Sequence, residues 1–128
     1  MPAPMWKPIE LQELQQLIGD SERAMNVPER RLWEFVRVSP TKWQQHPWGD
    51  EGGGFWVVGL FGNRALWYND IELGFNAPSY NQFGTISDYV CNQDDLRDAI
   101  RSLFEWLETG KRDGNFGSPS PIPKEWPK

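Results

Sequence analysis

One cysteine, one histidine and no long apolar run limit what this 128-residue chain can be. A single thiol cannot form an intramolecular disulfide, and no basic residue nearer in sequence than Arg97 could activate it, so Cys91 is expected to be a small buried side chain. No segment approaches the ~20 apolar residues that cross a bilayer, and the first ten residues lack the apolar run of a secretion signal. These absences predict a protein of the reducing cytoplasm with no membrane partner.

Basic charge is also scarce in this sequence. The chain carries 13 Lys and Arg against 18 Asp and Glu, which gives a formal net charge of −5. A net negative field repels phosphate backbones, and no cluster of Lys and Arg offsets it locally. Nucleic acid is therefore excluded as the expected partner. A basic protein is permitted, although the same charge also serves solubility.

Aromatic side chains, in contrast, are abundant, with eight Trp, seven Phe and three Tyr. Each buried aromatic removes roughly 150–250 Å² from water, so a chain of this length can build one core. We predict a single α+β domain over residues 1–110, followed by a Pro/Gly/Ser-rich tail at 111–128.

Apolar residues recur at helical spacing in three segments of the chain. The first predicts a helix over residues 8–18 that ends at Gly19. The second begins near Asn26 and must end before Pro40, because a proline disfavours helical geometry in the residue before it. The third begins after Asn92, which can cap it, and ends at Gly110. The ends of the domain are therefore predicted to be helical.

The middle of the chain has the pattern of a β-hairpin. Prolines and glycines predict irregular structure over residues 40–51. Phe55–Phe61 and residues 64–71 are predicted strands, joined by a tight Gly62-Asn63 turn, and residues 73–90 hold one or two short strands. The expected fold is a three- to five-stranded antiparallel sheet, with N-terminal helices and a C-terminal helix packed on one face.

Both faces of this hairpin are apolar. Alternation in the first strand separates Phe55, Val57 and Phe61 from Trp56, Val58 and Leu60. In the second strand it separates Ala65, Trp67, Asn69 and Ile71 from Leu66, Tyr68 and Asp70. Such a sheet is either covered on both sides or presents one face to another molecule.

Two polar clusters could carry chemistry, and the first surrounds the single histidine. His46 lies beside Asp50 and Glu51, a combination that could act as a general base or bind a metal. Proline and glycine surround these residues, and no nucleophile or second metal ligand stands at a fixed spacing. A solvated loop is therefore the favoured interpretation.

The second cluster spans residues 68–72 and continues to Asn76. If Asp70 and Glu72 lie on a strand, they share a face and could bind a divalent cation or act in acid/base catalysis. Asn69 and Asn76 could add amide contacts. The alternative is that Asn69-Asp70 begins a turn by bonding its own backbone, with Glu72 in solvent.

Aromatic residues near these clusters could anchor a protein partner. Trp48, Tyr68 and Tyr80 each stand in or next to a predicted loop or sheet rim, so we expect them to be exposed. Aromatic side chains beside carboxylates and amides are typical of protein interfaces.

The same residues resemble a known pattern. The motifs GGFWVV (53–58), GN (62–63), WYNDIExGFN (67–76), Tyr80, GTI (84–86) and NQxxL (92–96) resemble a group of small uncharacterised bacterial proteins. The resemblance covers about residues 30–107 and implies no particular chemistry. In size and acidity such proteins are similar to the immunity proteins of bacterial toxin systems.

The sequence thus favours a non-enzymatic protein-binding module without a cofactor, whose partner could be a basic toxin. Its predicted binding residues are Trp48, Asp50, Glu51, Tyr68, Asn69, Asp70, Glu72, Asn76 and Tyr80. One alternative is a metal-binding or hydrolytic domain that uses His46, Asp50, Asp70 and Glu72. The other is a homodimer in which an apolar sheet face forms the interface.

Overall fold

The computed structural model describes residues 7–109. These residues form an antiparallel four-stranded sheet, in the order β1-β2-β3-β4, and three α-helices. The elements are α1 (Leu11–Ala24), α2 (Val27–Val36), β1 (Arg37–Trp43), β2 (Phe55–Phe61), β3 (Arg64–Asn69), β4 (Gly74–Asn76) and α3 (Leu96–Thr109). The predicted α+β class and its antiparallel sheet are confirmed. The tail predicted at 111–128 lies outside the described residues.

Helix α2 begins where the sequence predicts, because its first turn is closed by a capping box. The Asn26 side chain accepts the Glu29 N–H at 2.9 Å, and the Glu29 carboxylate accepts the Asn26 N–H at 2.9 Å. Helix α1, however, continues through Gly19 to Ala24, so the predicted stop is wrong. A glycine inside a helix costs about 1 kcal/mol relative to alanine. Burial of Leu14 and Ile18 against the core offsets that cost.

Strand β1 was not predicted, because Pro40 interrupts its sequence. It lies at the edge of the sheet, where a proline is tolerated since one side of the strand needs no ladder hydrogen bonds. Its pairing with β2 shifts register between Arg37 and Thr41, on either side of that proline. The first part of the predicted irregular segment is therefore an edge strand.

The start of α3 also differs from the prediction. The helix begins at Leu96, and its N-cap is Asp95, whose carboxylate accepts the Asp98 N–H at 2.8 Å. Asn92 is used elsewhere, since its N–H donates to the Asn76 side chain at 2.9 Å. Cys91, expected to be buried, is exposed in the segment before the helix.

The sheet is covered on both faces by the chain itself. On one face the helices pack against Val58, Leu66, Tyr68 and Phe75, and we call this the helix-side core. On the other face Trp43, Phe55, Val57, Ala65, Trp67 and Ile86 form the loop-side core, against which Tyr80 and Tyr89 pack. The segment after β4 therefore covers the face that the sequence left open to another molecule.

A bulge in β2 inverts the predicted faces beyond it. The pairing of β2 with β3 shifts register between Val57 and Gly59. Beyond the shift, Leu60 packs with the loop-side core and Phe61 with the helix-side core. Alternation predicted the reverse, and that prediction is wrong because one extra residue moves every later side chain to the other face.

Candidate functional site

A groove lies between α1 and the turn that joins β3 to β4, residues 70–73. Its main part has a volume of about 590 Å³, and it continues into a depression of about 280 Å³ beside the residues that precede α3. Five carboxylates line these two parts: Glu13, Asp20, Asp70, Asp94 and Asp95. The apolar lining comes mainly from Ile9, Leu17, Tyr68, Leu73 and Phe75, and Lys7 is the one cation among the described lining residues. We call this the acidic groove.

Asn69 shapes the turn that forms one wall of the groove. Its side-chain oxygen accepts the N–H groups of Ile71 and Glu72, both at 3.1 Å, and its amide nitrogen donates to the Val90 carbonyl at 3.0 Å. The alternative prediction, in which Asn69-Asp70 begins a turn and the Asn69 side chain bonds the backbone, therefore matches the structure. Asn69 is fully buried, so its side chain supports the turn and does not face a partner.

Asn76 has a similar internal role at the end of β4. Its side-chain oxygen accepts the Asn92 N–H at 2.9 Å, and its amide nitrogen donates to the Gly74 carbonyl at 3.3 Å. It is also fully buried. These two asparagines hold the 90–92 segment against the sheet, because each satisfies backbone groups that would otherwise be buried without partners.

The carboxylates of Asp70 and Glu72 do not share a strand face, because β3 ends at Asn69 and both residues belong to the turn. Asp70 turns toward the segment that precedes α1, where its Oδ2 accepts the Ile9 N–H at 2.6 Å. Glu72 lies near Tyr89, whose phenol has its pKa raised mainly by burial, with smaller contributions from Cys91 and Glu72. A site for a divalent cation or for acid/base catalysis that needs Asp70 and Glu72 on one strand face is therefore not formed.

Tyr68 forms the floor of the acidic groove and is 7% exposed, so the expectation of an exposed ring is wrong. The ring packs against Phe75 with centroids 4.7 Å apart. Burial raises the pKa of the Tyr68 phenol, and the nearby charge of Asp70 raises it further. The hydroxyl is thus protonated at neutral pH. Among residues 7–109 it has no hydrogen-bond partner.

Leu73 is a functional candidate that the sequence analysis missed. It is 68% exposed, and its φ of 62° lies in the left-handed region, where a leucine is strained by roughly 1–2 kcal/mol. Leu17, 37% exposed on α1, lines the same groove. The signal in the sequence was a leucine directly before Gly74 in a turn, where glycine or asparagine is the usual left-handed residue.

The loop around Trp48 forms a separate surface. Trp48 is 54% exposed, as expected, and its ring stacks on Tyr89 with centroids 5.2 Å apart. The His46 Nδ1 lies 2.6 Å from the Asp50 Oδ2, so this predicted pair does come together. Glu51 is exposed beside it. Because Tyr89 packs against the loop-side core, this loop lies on the opposite side of the sheet from Tyr68 and the helix-side core.

Tyr80 supports the β2–β3 hairpin and is half-buried. Its ring packs edge-on against Trp43 with centroids 5.0 Å apart, and its hydroxyl donates to the Gly62 carbonyl at 3.4 Å. Its backbone N–H donates to the Asn63 carbonyl at 2.7 Å. These contacts explain the position of Tyr80 without a ligand.

The predicted binding residues are therefore divided. Tyr68 and Asp70 line the acidic groove, and the Trp48 loop contains Trp48, Asp50 and Glu51. The other four predicted residues lie outside both surfaces: Asn69, Asn76, Glu72 and Tyr80. Within the described residues, no group of three or more His, Cys, Asp or Glu side chains is arranged to hold a metal ion. None of the helices in residues 7–109 is long and apolar enough to cross a membrane.

Comparisons with known proteins give no family: no protein-family model, no curated protein and no solved structure matches this chain.

Proposed function

We propose that this protein is a non-enzymatic binding module that receives a basic, partly apolar segment of a protein partner in the acidic groove. The groove itself carries the proposal, since it combines a concave shape, an apolar lining and five carboxylates. The resemblance to immunity proteins supplies the example of such a partner, a bacterial toxin neutralised in the cytoplasm.

The shape of the groove supports this reading. Its main part, about 590 Å³, falls within the ~300–1,000 Å³ range of ordinary ligand sites. The exposed leucines at its edges have apolar surface that a partner can cover. Burying the remaining exposed part of Leu73 would contribute about 1–2 kcal/mol, because full burial of a leucine side chain is worth about 1.5–3 kcal/mol.

The negative charge of the groove favours a partner segment of positive charge. Carboxylates grouped in a cleft raise the local concentration of cations and speed the association of a basic molecule. Each exposed ion pair adds only ~0.2–1 kcal/mol, so charge selects and steers the partner while the apolar lining gives affinity. A second copy of the chain carries the same net charge of −5 and is the poorer fit.

A direct test uses a defined probe, a short amphipathic peptide with leucines on one face and lysine and arginine on the other. Calorimetry at low and high salt would measure its binding to the full chain. The groove variant Glu13→Gln/Asp20→Asn should bind about tenfold more weakly at low salt, because two exposed ion pairs are removed. The difference should shrink at high salt, which screens exposed charges.

The matched control is Asp50→Asn/Glu51→Gln, which makes the same change in net charge on the Trp48 loop. It should leave peptide affinity within about twofold. An equal loss in both variants would show that the overall charge, and not the groove, attracts the peptide. Light scattering at two protein concentrations would reveal self-association, which would favour the homodimer instead.

A further inference from the structure

The chain enters the described structure at the acidic groove. Lys7 and Pro8, the first described residues, line the main part of the groove together with Ile9. Ile9 is fixed through both of its backbone groups, because its N–H donates to the Asp70 Oδ2 at 2.6 Å and its carbonyl accepts the Trp56 Nε1–H at 3.1 Å. The residues that precede Lys7 therefore continue from a fixed point in the groove itself.

The six residues before Lys7 have the composition of an apolar ligand. Their sequence is MPAPMW, which contains two methionines, one tryptophan and no charged side chain. A buried aromatic side chain removes roughly 150–250 Å² from water, and methionine fills irregular apolar gaps. Pro2 and Pro4 fix their own φ and favour an extended residue before each of them, so the segment loses less conformational entropy on binding.

Apolar surface of the groove lies beside this entry point. Leu17 and Leu73 are 37% and 68% exposed, and both line the part of the groove that Lys7 also lines. A segment tethered next to a site has an effective concentration on the order of millimolar, so even weak apolar contacts can hold it there. Six residues extend by up to ~20 Å, and no gap separates them from the groove.

We propose that residues 1–6 of this chain cover the acidic groove when no partner is bound, with Met5 and Trp6 packed along Leu17 and Leu73. Together with Lys7 they form a basic, partly apolar segment, which is the chemistry that the groove is proposed to accept from a partner. This inference rests on the proposed function and supplies its regulation, because a partner segment must displace the cover.

The other end of the chain is a poorer candidate for this cover. Its residues follow Thr109 at the end of α3, whereas Asp94 and Asp95, which line the groove, lie at the start of that helix. A helix of 14 residues is ~21 Å long, so the C-terminal segment begins well away from the groove. A second copy of the chain would bring a further net charge of −5 to a groove that is already acidic.

The first measurement needs no partner. It follows the methyl signals of Leu17 and Leu73 by NMR in the full chain and in the double variant Met5→Ser/Trp6→Ser. An indole ring packed on a leucine displaces its methyl signals through the ring current, so both leucines should lose that displacement in the variant. The matched control is Trp126→Ser, which removes a tryptophan from the other end of the chain and should leave both signals unchanged.

The second measurement is the affinity for the amphipathic probe peptide. The apparent affinity of a site falls in proportion to the fraction of molecules in which the site is open. A cover present in about nine-tenths of the molecules thus weakens binding about tenfold, and Met5→Ser/Trp6→Ser should bind the peptide about tenfold more tightly than the unmodified chain. Trp126→Ser should bind it as the unmodified chain does. A free peptide with the sequence of residues 1–7 should restore the leucine signals when it is added to the double variant, which tests the contact even if that variant is less stable.

The outcomes separate the two proposals. Leucine signals that are the same in the unmodified chain and the double variant would overturn the cover, whether or not the probe peptide binds. Equal peptide affinities in the two proteins would also overturn it, because a cover must compete with the peptide. Signals that move with protein concentration would assign the contact to a second copy instead. If the leucine signals respond as expected but neither protein binds the peptide, the contact of residues 1–6 is supported and the proposed function fails.

Discussion

Glu29 offers the sharpest test of how the helical layer is held together. It is 5% exposed, and its carboxylate joins α2 to α3. Oε1 accepts the Asn26 N–H at 2.9 Å and the Arg97 Nε–H at 3.0 Å, while Oε2 accepts the Arg101 Nε–H at 3.3 Å. The substitution Glu29→Gln keeps the shape and one acceptor but removes the charge that both arginines share.

The expected loss follows from the surroundings of each partner. Hydrogen bonds to charged groups contribute about 1.5–3 kcal/mol when buried. Arg97 and Arg101 are each partly exposed, so solvent screening reduces their share toward the ~0.2–1 kcal/mol of surface pairs. We expect Glu29→Gln to lower the free energy of unfolding by about 1–2 kcal/mol. Glu29→Ala, which also removes the capping contact to Asn26, should cost about 2–3 kcal/mol.

Chemical denaturation followed by tryptophan fluorescence would measure these values, and a melting temperature lower by about 5–10 °C should accompany Glu29→Gln. Glu34→Gln is the matched control, because Glu34 is an exposed glutamate on the same helix. It should change stability by less than about 0.5 kcal/mol. A Glu29→Gln protein as stable as this control would refute the assigned role of the carboxylate.

The dependence on pH gives an independent check of the same site. Burial alone would raise the pKa of Glu29, but the Asn26 N–H and the two arginines outweigh it and lower the pKa below its ordinary value. The folded protein therefore binds this proton less readily than the unfolded chain, and the site stabilises the fold fully above the unfolded pKa of about 4.3. That contribution is lost as pH falls through the lowered folded pKa. The gap between the native and Glu29→Gln proteins should be constant near pH 7 and close in acid.

Two further substitutions test the turn beside the groove. Leu73→Asn should leave the protein as stable or more stable by up to about 1 kcal/mol, because asparagine tolerates the left-handed backbone. The same substitution should weaken binding of the probe peptide. A destabilised protein would contradict the assigned strain. Gly74→Ala should destabilise by more than about 3 kcal/mol or prevent folding, since the new Cβ would lie 1.9 Å from the Asn92 carbonyl oxygen. Gly53→Ala is the control without a clash, because its new Cβ meets no atom within 4 Å although its backbone is left-handed, and similar losses in both would refute the steric argument.

Local signals predicted much of the fold. The capping box at Asn26, the apolar spacing of α3 and the Gly62-Asn63 turn each depend on neighbours within a few residues, so the sequence contains the information directly. The hairpin turn has a φ of 57° at Gly62, in the left-handed region that a tight turn requires. Leu96, Ala99, Ile100 and Leu103 are buried at the predicted helical spacing.

Features that depend on distant neighbours could not be predicted in the same way. Gly19 fails to end α1 because the core contacts of the helix outweigh the local preference of one glycine. The bulge in β2 depends on how that strand pairs with β3, and it changes the faces of Leu60 and Phe61 without any mark in the sequence of β2. The burial of Tyr68 follows from the packing of Phe75 against it, which no spacing within β3 reveals.

The same distinction explains why the predicted binding surface divided in two. A regular strand would have placed Asp70 and Glu72 on the same face, but Asn69 ends β3 by accepting two backbone N–H groups of the turn. The turn then directs Asp70 toward the segment that precedes α1 and Glu72 toward Tyr89. Asn69 thus determines the shape of the groove from the inside, while Leu73 and Asp20 belong to its lining. Substituting the outer residues should therefore change binding with little effect on stability, and substituting Asn69 should change both.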